Sequence, residues 1–273
     1  MPDREVEHAR SAVVAAGRIA MRYFRQTYER WEKSPGQIVT EADLAVDRYL
    51  HATLRRDHST DGWLSEETED DRIRLQRRRV WVVDPIDGTR SFAEGVAEFT
   101  ISVALLVDNL PVLGFVLNPA TDELFEARIG EGAYLNGTRL HASDVGSLLE
   151  ARIVASKFET KRRGFAQLLP TARMSSLGSL AYKLALVAAG RFDGYLSWRR
   201  THDWDIAAAV LLLAEAGAVL TDAFGGPIDL NRSDPIHQGL LAAGHELHPA
   251  LLVATGPTHA TFVAERRARG LPG

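Results

Sequence analysis

Apolar positions in the first fifty residues recur at helical spacing. From about Val6 to Trp31, the residues Val13, Ala16, Ala20 and Phe24 fall on one stripe, which predicts a helix with one buried face. Ser34-Pro35-Gly36 interrupts that pattern. Thr40 then has the chemistry of an N-cap, with Asp43 in the place where a capping box more often carries Glu or Gln. The helix it opens keeps Ala42, Val46, Tyr49, Leu50 and Leu54 on one face. Residues 58 to 71 are polar and acidic and read as a loop around Trp63-Leu64-Ser65-Glu66-Glu67. The period changes at Val80-Trp81-Val82-Val83, a β-branched and aromatic run that predicts a buried strand ending at Asp84-Pro85. Pro85 donates nothing to a ladder and fixes its own φ, while Gly88 permits a tight turn.

Beyond this point short apolar runs alternate with breaks. Phe99 to Val107, Val112 to Asn118 and Leu124 to Arg128 are separated by Asp108-Asn109 and Pro119, as in an antiparallel meander, and Asn136-Gly137 is a hairpin signal. From about residue 150 helices and strands mix. Ile153 to Ala155, Phe192 to Trp198, Ala218 to Leu220 and Leu240 to Ala243 read as strands. Ser179 to Ala189 reads as a helix closed by Gly190, and Asp203 to Ala216 as a strongly apolar helix capped by Gly217. This texture predicts two halves, 1–146 and 147–273, packed as one unit of mixed α and β structure.

Composition narrows the function classes. The chain has 273 residues, 45% hydrophobic and 25% charged, enough for a large core. A net charge of −4 gives no global basic field for a nucleic acid. Arg77-Arg78-Arg79, Lys161-Arg162-Arg163 and Arg199-Arg200 read as solvated turns. With no cysteine, disulfides, thiolate catalysis and cysteine-based zinc sites are excluded. No signal-peptide pattern and no run of 18 apolar residues occurs, so a cytoplasmic, membrane-free protein is expected.

The candidate chemistry is acidic. Asp84 and Asp87 sit three residues apart at a strand end beside Gly88 and Thr89. Aspartates are common turn formers, but two carboxylates held close together favour a cation, and oxygen ligands of this kind suit Mg²⁺ shared with a substrate phosphate. Glu66-Glu67, Asp43 and Asp203-Trp204-Asp205 are individually ordinary, since acids in loops are solvated and acids at helix starts cap.

In combination and in order, Val39-Thr40-Glu41-Ala42-Asp43, Ser65-Glu66-Glu67, Trp81-Val82-Val83-Asp84-Pro85-Ile86-Asp87-Gly88-Thr89 and Asp203-Trp204-Asp205-Ile206-Ala207-Ala208-Ala209 resemble the inositol monophosphatase superfamily of Mg²⁺-dependent, lithium-sensitive phosphatases. The resemblance spans about residues 10 to 245. It implies a layered αβαβα sandwich and a small phosphorylated metabolite as substrate. Two or three Mg²⁺ ions would activate water. Glu66, Asp84 and the main-chain oxygen of Ile86 would hold one ion, and Asp84, Asp87 and Asp205 a second. Thr89, paired with Asp43, would orient the nucleophilic water. Backbone N–H groups of Gly88 and Thr89 would cradle the phosphate, and Gly178-Ser179 resembles the family's substrate-side loop. Inositol-type members are commonly homodimers, whereas many nucleotide-type members are monomers.

Departures from the family pattern bear on substrate. Ser65 stands where Gly usually precedes the paired Glu, a conservative change, and Ser91 where Asn is common. Glu215-Ala216-Gly217-Ala218 has Ala where a second Gly is common. Trp198 stands where inositol-specific members carry a Glu that contacts ring hydroxyls. It would either stack on a base in the site or close a strand in the core. Gly62-Trp63-Leu64-Ser65-Glu66-Glu67 and His202-Asp203-Trp204-Asp205 are similar to bacterial members assigned to 3′-phosphoadenosine 5′-phosphate. The expected activity is therefore a 3′(2′),5′-bisphosphate nucleotidase, with an inositol-1-monophosphatase as the alternative. A haloacid dehalogenase mechanism needs Asp-x-Asp-Gly-Thr, and here the spacing is Asp-x-x-Asp with Pro85 between. A non-catalytic metal-binding member would be expected to have lost ligands, and all are present.

Overall fold

The computed structural model describes residues 1–34, 37–162 and 164–268. Pro35 and Gly36 of the expected break, and Arg163 of one basic spot, lie outside the described residues. In chain order the elements are α1 (Asp3–Tyr23), β1 (Arg30–Ser34), β2 (Gln37–Thr40), α2 (Glu41–Leu54), β3 (Gly62–Ser65), β4 (Arg79–Asp87), α3 (Thr89–Ala93), β5 (Thr100–Val107), β6 (Leu110–Asn118), β7 (Glu123–Arg128), β8 (Gly132–Leu135) and β9 (Thr138–Arg139). There follow β10 (Arg152–Ala155), α4 (Lys157–Arg162), α5 (Phe165–Leu168), β11 (Arg173–Ser176), α6 (Leu180–Ala188), β12 (Gly194–His202), α7 (Asp203–Glu215), β13 (Ala218–Thr221), β14 (Ile236–Gly244) and α8 (Leu247–Ala268).

Strands β3 to β9 form a seven-stranded sheet in sequence order, with β3 parallel to β4 and every later pair antiparallel. The second sheet has the order β11-β10-β12-β14-β13. Alternation on β4 shows why its sequence is apolar at every position. Trp81 and Val83 pack into the core beneath α1 and α2, while Val80 and Val82 face α6 and α7. The apolar helix α7 lies between the two sheets and is buried nearly all round. It approaches β6 so closely that a Cβ on Gly114 would meet the Ala208 carbonyl at 2.8 Å. A third core seats α8 on the outer face of the second sheet through Leu247 and Leu251. Helices, sheet, helices, sheet and helix therefore stack as the expected αβαβα sandwich. Among the described residues no helix is long and apolar enough to cross a membrane.

Several local expectations need correction. The first helix ends at Tyr23 rather than Trp31, because Trp31 pairs with Val39 in the β1–β2 hairpin. The acidic stretch 58 to 71 contains β3, a buried strand whose four residues align with Val80 to Val83. β4 does not stop at Asp84-Pro85. It continues to Asp87 across a register shift in which Pro85 and Ile86 have no partner on β5, so the missing donor of Pro85 costs nothing. Helix α8 has no clear apolar period, and its sequence contains Gly256-Pro257.

Candidate metal centre and phosphate cleft

The bulge in β4 places Asp87 in the wall of a cleft of about 420 Å³ that separates the end of the first sheet from β12, α4 and the start of α6, with Asp84 buried behind it. Across it, the first turn of α7 supplies Asp205. Asp84, Asp87 and Asp205 each offer a carboxylate oxygen within 4.8 Å of the others. Glu66, half-buried just after β3, stands outside this group of three, but its charge reaches Asp84, and its N–H donates to the Val83 carbonyl at 3.3 Å.

Helix starts hold these carboxylates in place. Asp43 Oδ2 accepts the Thr40 N–H at 2.8 Å, and the Thr40 N-cap and Asp43 form the capping box expected from sequence. That leaves Oδ1 to accept the Thr89 hydroxyl at 3.2 Å, the same hydroxyl that lies 3.0 Å from the Ile86 carbonyl. Asp205 repeats the device: Oδ2 accepts the His202 N–H at 2.6 Å at the start of α7. Asp87 Oδ2 is gripped by α6, accepting the Ser179 hydroxyl at 2.5 Å and the Ala181 N–H at 2.6 Å. Capping and active-site placement are therefore one arrangement, since a cap fixes one oxygen and aims the other.

Gly88 has φ 93°, and a Cβ there would meet the Glu98 carbonyl at 2.8 Å and the Ser179 N at 3.1 Å. Glycine is required at that turn both for its left-handed backbone and for space. Gly178 and Ser179 line the cleft beside Gly88, with the Gly178 N–H donating to Glu98 Oε2 at 2.7 Å. The Ser179 hydroxyl points to Asp87 and Thr100.

The charges in this cluster are not compensated from within. Burial, then the neighbouring carboxylates of Glu66, Asp87 and Asp205, push the Asp84 carboxyl well above the ordinary range. Enclosure in the cleft and the charge of Asp87 push Asp205 up to about 7, and burial pushes Asp43 up to about 6 against the hydrogen bond from Thr40. Asp84 Oδ1 is buried without a hydrogen-bond partner. An orphaned carboxylate oxygen among converging carboxylates, with only oxygen donors around it, fits a hard divalent cation such as Mg²⁺.

Trp198 is not in this site. It is 7% exposed and packs against Phe165, His259 and Phe262 beneath α8. On β12 Tyr195 and Ser197 face the cleft, so the period of two turns Trp198 to the opposite face, before the register shift between Ser197 and Arg200 brings both arginines to the cleft wall. Its core reading is the one realised. Arg199 and Arg200 are exposed but belong to the strand that walls the cleft, rather than to a solvated turn. Sequence reasoning also passed over Lys183. Its ammonium is buried in the cleft wall and donates to the carbonyls of Leu177 at 3.3 Å and Gly178 at 3.2 Å, and burial pulls its pKa down to about 8. A single lysine within the apolar run Leu180 to Ala188 was the available signal.

Comparison with known proteins agrees with this geometry. Residues 2–258 match the model of the inositol monophosphatase family. The inositol-1-monophosphatase of Rhizobium meliloti is 37% identical over 246 residues, covering 86% of this chain and 89% of the relative. Among solved structures, the IMPase of Thermotoga maritima superposes with a TM-score of 0.82 at 28% identity, covering 94% of this chain and 98% of that one. SaIMPase-II with 2′AMP bound superposes at 0.82 and 26% identity, covering 96% and 98%. The chain belongs to the inositol monophosphatase family, whose members are Mg²⁺-dependent phosphatases acting on small phosphorylated metabolites.

Proposed function

We propose that the cleft hydrolyses a phosphate monoester of a small polyol, with inositol 1-phosphate as the reference substrate, and that the two halves of the chain act as one catalytic unit. The observation that carries this reading is the convergence of Asp84, Asp87 and Asp205, with Asp84 Oδ1 left unpartnered, beside the Thr89–Asp43 pair. Glu66, Asp84 and the Ile86 carbonyl would hold one ion, and Asp84, Asp87 and Asp205 a second. When bound, Mg²⁺ neutralises the phosphate oxygens, acidifies a water and stabilises the departing alkoxide. The Thr89 hydroxyl, held by Asp43 Oδ1, would orient an attacking water, and the Asp43 carboxylate would accept the proton relayed through that hydroxyl. Gly88 leaves room for the phosphate to approach the backbone at the start of α3.

The names of the curated relatives support inositol 1-phosphate. A nucleotide bisphosphate is the second reading. Trp198 no longer supports it, because that side chain lies in the core. What favours it is the basic wall of Lys157, Arg199 and Arg200, which suits a second anionic group. Phosphate release with Mg²⁺, with and without Li⁺, should be measured from inositol 1-phosphate, 3′-phosphoadenosine 5′-phosphate and fructose 1,6-bisphosphate in parallel. A preference for inositol 1-phosphate is expected. A nucleotide preference would replace it with the second reading, and no turnover of any of them would count against the proposed activity.

A further inference from the structure

The segment that carries Glu66 is fastened to α2 by a residue that the phosphatase chemistry does not use. Asp47 lies one turn beyond Asp43 on the buried face of α2 and is 6% exposed. Its Oδ1 accepts the Ser65 hydroxyl at 2.5 Å, and its Oδ2 accepts the Thr68 hydroxyl at 2.8 Å. These hydroxyls bracket Glu66-Glu67, and Ser65 Oγ in turn accepts the Glu67 N–H at 3.3 Å. We propose that Asp47 and Ser65 are positioning residues for Glu66, setting its carboxylate toward the metal centre through a clamp on both sides of the segment.

Three features carry this. Both oxygens of the buried Asp47 carboxyl are committed to hydroxyls, at 2.5 Å and 2.8 Å. Asp43 and Asp47 share one helix, so α2 ties the Thr89–Asp43 pair and the Glu66 segment to the same rigid body. The Ser65 hydroxyl supplies one arm of the clamp, an arm that glycine at this position would lack. Partners of this kind, one layer behind a ligand, typically govern metal affinity by about 10- to 100-fold.

The inference rests on Glu66 acting as a metal ligand, and the test separates the two. Mg²⁺ binding is measured by calorimetry for the parent protein, Asp47→Ala, Glu66→Gln and the double variant, without substrate. Asp47→Ala should weaken Mg²⁺ about tenfold, and the double variant should bind no more weakly than Glu66→Gln alone. Ser65→Gly should shift affinity in the same direction by less, and supplies the same cycle with Glu66→Gln if Asp47→Ala does not fold. Losses that add in the double variant, or unchanged affinity in both Asp47→Ala and Ser65→Gly, would overturn the clamp. Unchanged affinity in Glu66→Gln would instead overturn the role of Glu66 itself.

Discussion

Asp203 and Asp205 stand two residues apart on the first turn of α7, and their carboxylates live in opposite circumstances. Asp203 is fully buried, yet both oxygens are satisfied: Oδ1 lies 2.7 Å from His237 Nε2, and Oδ2 accepts the Asn231 N–H at 2.6 Å. Asn231 passes the connection to Arg74, whose guanidinium also bonds Asp70 at 2.8 Å and the Arg232 carbonyl at 3.0 Å. That network is closed and ties the two halves together. On the cleft side, Asp84, Asp87 and Asp205 converge; one oxygen of Asp87 and one of Asp205 is held by a helix start, while Asp84 Oδ1 has no partner. A buried carboxylate with both oxygens satisfied is architecture, whereas a cluster of converging carboxylates that leaves one buried oxygen unpartnered suits a cation.

The comparison can be broken by removing one acid from each side. Asp84→Asn should lower phosphatase activity by about 10³-fold or more, since several kcal/mol of charge stabilisation is lost with a ligand, while the fold remains intact. Asp203→Ala should do the reverse in kind. It leaves His237 Nε2 and the Asn231 N–H without their Asp203 partner and should cost about 3–5 kcal/mol in denaturant unfolding, the scale of a closed buried network. Trp198→Ala belongs with the architecture and should cost a similar 3–5 kcal/mol or so, with no change in preference between nucleotide and inositol substrates. A changed preference would return Trp198 to the site. Thr89→Ala should lower kcat by about 10²-fold with little change in Mg²⁺ affinity, because it removes an orienting hydroxyl and no ligand.

The smallest effect is one of pH. In the metal-free protein Asp43, Asp84 and Asp205 have carboxyl groups raised above their unfolded values, so the folded state retains protons that the unfolded chain has released. The stability this confers is complete below the ordinary carboxylate range and is lost as pH rises through about 6 to 7. Metal-free melting should therefore fall by a few degrees from about pH 5 to about pH 8, and the stabilisation by Mg²⁺ should grow across the same window. An equal Mg²⁺ increment at both ends would contradict this.

How much of this was legible in the chain depended on how local the signal was. The Thr40–Asp43 box and the start of α7 are set by residues within three positions of one another and appeared where expected, whereas the end of β4 came three residues later than its proline suggests. β3 was hidden because Gly62 to Ser65 is buried by pairing with β4, a long-range condition that its acidic surroundings mask. The side of β12 on which Trp198 falls needed the strand's register against β14, which shifts between Ser197 and Arg200. The clamp by Asp47 was invisible for the same reason, since 18 residues separate it from Ser65 and only the packing of α2 brings them together. Lys183 announced itself as a charge in an apolar helix, but its destination in the cleft wall depended on where α6 lies.

The most direct test of the account is thermal unfolding of the parent protein and of Asp84→Asn, each with and without Mg²⁺. At a Mg²⁺ concentration about 100-fold above its dissociation constant, the parent should melt about 5–10 °C higher than without the ion. Asp84→Asn, relieved of one uncompensated charge, should melt no lower than the metal-free parent and gain little from Mg²⁺. A parent indifferent to Mg²⁺, together with an Asp84→Asn protein that melts well below it, would mean that these acids are compensated after all and that the cleft is not a metal centre.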